Sequence, residues 1–246
     1  SKISTLGLVG VNYEIKVTDK QIVLAVSASR APAQGVQWTG DETNVWDYKT
    51  NNFSYGGSAT TFVTNDAVVF NDKSGNRNVT VDELVVTNGV LFDFDEGTYN
   101  FNGNGGISGT GDLIKNGKGE VVMNLQNSDY TGKTIINEGT LTVNNMADGG
   151  KASALGAAPA TEGYLLMNGG TLKINATNMA TNRIITLTDT STINVFKQGG
   201  SLSLKGIVKG SGYLIKDGLG QLNFTYGGDN PFAGIIVKKG IIAQGA

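Results

Sequence analysis

The chain contains no cysteine and no histidine. Without thiols it has no disulfide, no thiolate metal site and no thiol chemistry. Without imidazole it lacks the commonest general base and transition-metal ligand, and every His-containing triad is excluded. Proline is scarce, at 3 residues of 246. Charged residues make up 16%, against a usual value of about 25%. The formal net charge is −2 and no basic cluster is visible, a pattern that argues against nucleic acid or an anionic membrane surface as partner. No apolar run approaches the ~18 residues a membrane helix needs, so membrane insertion by this segment is not expected. Helix signals are nearly missing as well. The one plausible helical stretch is 146–155 (MADGGKASAL), and its two glycines weaken it.

What is abundant is glycine, at 36 residues, in a chain that is 39% hydrophobic. The glycines follow no G-X-Y period, which excludes collagen, and the apolar content suffices for a buried core. Short β-rich runs occur throughout, nearly all of about four to eight residues, separated by Gly or Asn-Gly punctuation. Tyr13–Val17 and 21–26 flank Thr18-Asp19-Lys20 and read as a hairpin. The stretch 22–33 superficially resembles the apolar part of an export signal, but it lies after a charged alternating segment and reads as a strand. A cleaved leader would lie upstream of Ser1. The runs 79–87 and 201–208 each read as one strand.

One motif occurs twice. Residues 109–119 read GTGDLIKNGKG and residues 210–220 read GSGYLIKDGLG. A second repeat pairs 134–144 (TIINEGTLTVN) with 165–175 (LLMNGGTLKIN), aligning Asn137 with Asn168, Gly139 with Gly170 and Asn144 with Asn175. A looser copy is 86–94 (VTNGVLFDF). The two spacings are about 31 and about 101 residues, and fixed-spacing self-similarity marks stacked architectures. A coil of a β-solenoid takes roughly 20–30 residues, so the longer spacing spans several coils. A hairpin-based sandwich is the competing fold, because NGKG at 116–119 would also serve as a hairpin turn.

The pattern G-x-G-x-L-x-K-x-G-x-G, followed by a β-rich segment, N-x-x-Y-x-G and a closing G-x-L, resembles the autotransporter-associated β-strand repeat of bacterial autotransporter passengers and related surface adhesins. The first copy supplies Gly109, Gly111, Leu113, Lys115, Gly117, Gly119, Asn127, Tyr130, Gly132, Gly139 and Leu141. The second supplies Gly210, Gly212, Leu214, Lys216, Gly218, Gly220, Asn230, Phe232, Gly234 and Gly240. Upstream, Trp38-Thr39-Gly40, Trp46-Asp47, Asn52-Phe53 and 66–70 (DAVVF) look like the lead-in to such repeats, with Phe53 in place of the usual Trp. The resemblance covers about 38–246. It implies an all-β right-handed parallel β-helix, with residues 1–37 as an N-terminal antiparallel hairpin, a cap or the end of a preceding module. It places repeat copies at about 106–145 and 207–246. It further implies secretion or display on a Gram-negative surface, associated with the outer membrane through a part not in this chain, and an adhesive or spacer role.

Several residues invite a chemical reading. The glycine-rich motif lacks the following helix that a phosphate-binding loop needs, so a nucleotide site is not expected and no cofactor is implied. Lys115 and Lys216 read as outward strand residues whose stems cover apolar surface. Phe92 and Phe94 alternate with Asp93 and Asp95, placing the aspartates outward beside Glu96. There they form a solvated face or, alternatively, part of a Ca²⁺ or glycan-cleaving site. Trp38, Trp46, Tyr48, Phe53 and Tyr55 form the only aromatic-dense stretch. They cover the first coil or, alternatively, stack on sugar rings. Trp38, Trp46, Tyr48, Asp93 and Asp95 are therefore the candidate binding residues, with no catalytic or metal site. Asn88, Asn137 and Asn168 are expected to ladder between coils.

Two functions follow. The first is a non-catalytic adhesin or stalk segment that meets a host surface component or a glycan, with the exposed edge at 235–246 as a candidate for self-association. The alternative is a polysaccharide-active β-helix (a lyase or glycoside hydrolase) or a carbohydrate-binding module. An enzyme would need paired carboxylates beside Lys or Arg in one groove. The three arginines, Arg30, Arg77 and Arg183, are far apart in sequence.

Overall fold

A computed structural model describes residues 13–17, 21–26 and 30–245. All regular structure among them is strand, and nearly all pairing is parallel. Each strand of three to five residues turns into the next, and successive circuits stack into a β-solenoid of about eight turns. The first face is a ten-stranded sheet running from Val36–Trp38 through Ala67–Asn71, Gly89–Asp93, Leu113–Asn116, Thr134–Ile136, Leu165–Met167 and Ile185–Leu187 to Val208–Gly210. Phe53–Tyr55 and Ser58–Thr60 are added antiparallel at its first edge. The second face is an eight-stranded sheet from Asn78–Thr80 to Gly234–Val237. The third face is interrupted: Leu84–Val86 pairs with Gly106–Ser108, and a four-stranded sheet spans Asn178–Thr181 to Ile241–Gln244.

Alternation explains the core. Side chains at every second position point inward, so Val121, Leu141, Leu172 and Ile193 stack directly over one another in the second face. Each is fully buried, a burial worth about 1.5–3 kcal/mol for each such side chain. At the N-terminal end of the stack the interior turns aromatic. Trp46 lies 5.4–6.0 Å from the rings of Phe53, Phe62 and Phe70, and Trp38 packs edge-on against Phe53.

The segment 116–119 is a corner, not a hairpin. Leu113–Asn116 pairs in parallel with Gly89–Asp93 and Thr134–Ile136, and not with Glu120–Met123, which lies in the second face. That arrangement removes the sandwich alternative. The segment 79–87 is likewise bent, between Asn78–Thr80 and Leu84–Val86, and 201–208 is bent between Ser201–Leu204 and Val208–Gly210. At the second bend a side chain on Gly206 would sit 2.3 Å from the Asn182 carbonyl below it. Residues 146–155 form no helix. Gly149 and Gly150 turn the chain back, Gly150 N–H donates to the Ala158 carbonyl, and Ala154 and Leu155 are buried. Tyr13–Val17 and Ile22–Val26 do pair antiparallel as a separate two-stranded sheet, and the turn at Thr18-Asp19-Lys20 lies outside the described residues.

The 31-residue repeat is one coil, since Thr134 pairs with Leu165 and Thr140 with Thr171. The longer repeat does not return to the same face. Leu113 belongs to the first sheet, whereas Leu214, 101 residues on, pairs with Ser191 and Ile235 in the second. The shared motif therefore encodes a corner, and two different corners of the coil use it.

Candidate functional site: the coil corners and outer faces

Lys115 and Lys216 are fully buried, which overturns their outward reading. Leu113 and Lys115 share one parity and point inward, and Ile114 faces out. The Lys115 stem stacks between Phe92 and Ile136. Its ammonium curls into the corner and donates to the carbonyls of Asn116 (2.6 Å), Gly117 (2.5 Å) and Glu138 (3.4 Å). It also lies 4.8 Å from the centre of the Phe94 ring. Lys216 repeats the arrangement with the carbonyls of Asp217 (2.7 Å), Gly218 (2.9 Å) and Lys239 (3.0 Å). Burial drives the Lys115 pKa down to about 8 and that of Lys216 down as well.

The glycines of the motif make this corner possible. Gly139 has φ +65°, and a Cβ there would lie 2.4 Å from the Gly117 carbonyl oxygen and 2.5 Å from that of Gly119. Gly240 meets Gly218 and Gly220 in the same way. The closing glycine of one coil thus sits directly on the lysine-bound corner of the coil before it.

Several other charged groups hold the backbone in the same way. Asp66 is buried and receives both Arg30 Nη atoms (2.7 and 2.6 Å) and the backbone N–H groups of Val63 and Ala33. Arg183 is buried and donates to the carbonyls of Ala147, Gly156 and Ala158, which fastens the loop 145–160 to the coil. Beside it Tyr130 is enclosed and shares a 2.8 Å hydrogen bond with Thr134, and burial pushes its hydroxyl up to about 12. Arg77 pairs with Asp72 at 3.0 Å. The backbone N–H of Asp95 and the Arg77 guanidinium hold the Asp72 carboxyl below the usual range. Asn52 is buried with its amide satisfied by Glu42 N–H, Thr43 N–H, Thr43 Oγ1 and the Val45 carbonyl.

Among the sequence candidates, Trp38 and Trp46 lie in the core and present no ring face to solvent. Tyr48 is half-buried against Phe62, and its hydroxyl donates to the Leu84 carbonyl and accepts Val86 N–H. Asp93 and Asp95 are exposed on the outside, with Phe92 and Phe94 inside. Asp95 accepts the Lys118 backbone N–H at 3.1 Å, and its own N–H donates to Asp72, so Asp72 and Asp95 each hold a backbone N–H of the coil that follows. Among the described residues no group of three or more His, Cys, Asp or Glu side chains is placed to hold a metal ion.

The asparagines do form ladders. Asn137 donates to Asn116 and Asn168 donates to Asn137, each at 2.7 Å, and Thr188 donates to Asn168. A second ladder runs Asn102, Asn124, Asn144, Asn175. Asn88 is exposed and takes no place in either. Two shallow outer grooves are present. One, of about 380 Å³, lies on the first face over Ala67, Val69, Gly89, Leu91 and Ile114. The other, of about 340 Å³, lies on the third face, with Ser201, Gln221 and Asn223 as its floor and Leu219 and Ile241 beside them. Asp112 is the single ionisable side chain lining either of the two.

Sequence reasoning missed the buried roles of Lys115, Lys216, Asp66 and Arg183. For the lysines a signal existed: period-two alternation puts Lys115 on the side of Leu113, and glycines two and four residues later announce a tight corner.

The fold is a parallel β-solenoid in which two corners, at Lys115 and Lys216, are closed by the same Lys-Gly unit. Residues 113–143, which span one such corner and the coil after it, match the family of the passenger-associated-transport-repeat. Over 196 residues the chain is 30% identical to the adhesin BmaC autotransporter of Brucella suis biovar 1 (strain 1330), a likeness that covers 74% of this chain and 6% of that protein. The chain thus spans only a small part of that curated relative. No solved structure matches it. The two likenesses support an autotransporter-passenger, adhesin-like domain.

Proposed function

We propose that this chain is a non-catalytic segment of a secreted or surface-displayed adhesin, a β-solenoid that holds adhesive surface away from the cell. The observation that supports it best is the use to which the charged side chains are put. Lys115, Lys216, Arg183 and Asp66, the buried ionisable groups that a catalyst would draw on, are each committed to backbone atoms at corners or to a structural ion pair. The relative's printed name is that of an adhesin, and the partner class that follows is a host surface component or a glycan. Export follows the same reading, with outer-membrane association supplied by a part outside this chain.

The test has two arms. The chain is incubated with a panel of neutral and acidic polysaccharides, and both retention and released reducing or unsaturated ends are measured. Retention without turnover is the expected result, and sustained product release would overturn the reading in favour of a polysaccharide-active enzyme. In the second arm, intact cells expressing the full-length parent protein are labelled with an antibody to this segment. Labelling only after the cells are broken open would remove the surface placement.

A further inference from the structure

The outer side of the first face carries an aliphatic stripe. Val69, Leu91, Ile114, Ile135 and Leu166 follow one another in register, each directly over the last, and Thr186 continues the line. All are half-buried and outward-facing, and no described strand packs over them. Two residues to the N-terminal side, on the same outer side of the sheet, the neighbours in the same order are Ala67, Gly89, Asp112, Lys133, Tyr164 and Ile184. This flank is small at one end and large at the other, with an acid and a base at its centre.

We propose that this face pairs with the same face of a second copy, the two solenoids running in opposite directions. A twofold axis lying along the strands, between Leu113–Asn116 and Thr134–Ile136, sets Ile114 opposite Ile135 and Leu91 opposite Leu166. The same operation sets Asp112 of each copy opposite Lys133 of the other, so the charges are complementary twice over. Lys133 is exposed and makes no ion pair among the described residues. Tyr164 comes opposite Gly89 and Ile184 opposite Ala67, which brings the bulky end of one copy over the 380 Å³ groove of the other. A parallel twofold, with its axis along the solenoid, would set each flank against the asparagine ladder and lose both matches.

Six coils at about 4.8 Å and a width of three side chains give each copy a footprint of roughly 30 by 15 Å. That size is at the low end of specific interfaces, so association is expected at tens of micromolar, not nanomolar.

Sedimentation equilibrium of the chain, followed to about 200 µM, tests this in the range a small interface requires. The wild type is expected to form dimers. Tyr164→Ala and Lys133→Glu are each expected to weaken them at least about tenfold, and the double variant Asp112→Lys, Lys133→Glu is expected to restore them. Melting temperatures check that each variant is folded. Orientation is read with Leu91→Cys and Leu166→Cys, clean probes in a chain without cysteine. A short bismaleimide should join a mixture of the two variants and leave each alone uncoupled. A monomeric wild type, dimers indifferent to Lys133→Glu and Tyr164→Ala, or cross-linking of Leu91→Cys by itself would each overturn the proposal.

Discussion

A lysine placed inside a β-solenoid is costly unless its charge is met, and Lys115 shows how it is met. The stem fills a gap in an aliphatic column, and three carbonyls that would otherwise converge unpaired on a corner receive the ammonium. Replacing it with Met keeps the stem and removes the donors, so Lys115→Met is expected to destabilise the fold by about 2–4 kcal/mol in urea denaturation at neutral pH. The pH dependence has a definite sign. With a folded pKa of about 8 and an unfolded value near 10.4, the penalty for burying the charge is fully present below about pH 8 and is relieved as pH rises toward the unfolded value. Wild-type stability should therefore rise between about pH 8 and 10 relative to Lys115→Met. Above about pH 10 the raised Tyr130 pKa works the other way, because only the unfolded chain ionises there. A wild type and a variant with parallel pH profiles would refute the assignment. The presence and spacing of Lys115 were legible in the sequence. Its shared parity with Leu113 was legible too; what was not legible is that an interior ammonium would be satisfied, because its acceptors come from the corner it enters and from the coil above.

Strands were the most legible elements, since alternating apolar residues bounded by glycine state both their length and their buried face. Corners were harder. The runs 79–87 and 201–208 have continuous strand-like composition, yet each bends where coil geometry demands it. Gly139 and Asn137 show what a corner requires. Gly139→Ala places a methyl 2.4–2.5 Å from two carbonyl oxygens at positive φ and is expected to cost about 2 kcal/mol or more. Gly75, with nothing within 4 Å of its would-be methyl, is the control, and Gly75→Ala should stay within about 0.5 kcal/mol. Asn137→Leu removes a donor and an acceptor from the middle of a ladder, for an expected loss of about 1–2 kcal/mol. The exposed Asn88→Leu should be neutral by the same denaturation measurement. The ladder was anticipated from the recurrence of Asn137 and Asn168, and Asn88 was wrongly included because the third copy is displaced from the column.

At the scale of the molecule, stacking joins these units into one core from Val36 to Phe224, closed at its first end by aromatic rings. Residues 145–160 interrupt this regularity, and Arg183 anchors them from a later coil. Arg183→Met is expected to accelerate proteolytic cleavage and hydrogen exchange within 145–160 well beyond any change elsewhere. A uniform change along the chain would show that the arginine does not anchor that loop. By itself the sequence determined that the chain is all-β, that it repeats, where most strands lie and which residues alternate inward, because these depend on local periodicity and on glycine's access to positive φ. Only the tertiary structure decided that the two copies of the motif serve different corners, that Lys115, Lys216, Asp66 and Arg183 are interior, and which outer columns are continuous. Those features depend on which residue comes to stand above which, and that registry is set by coil lengths and by the loop 145–160, summed over the whole stack.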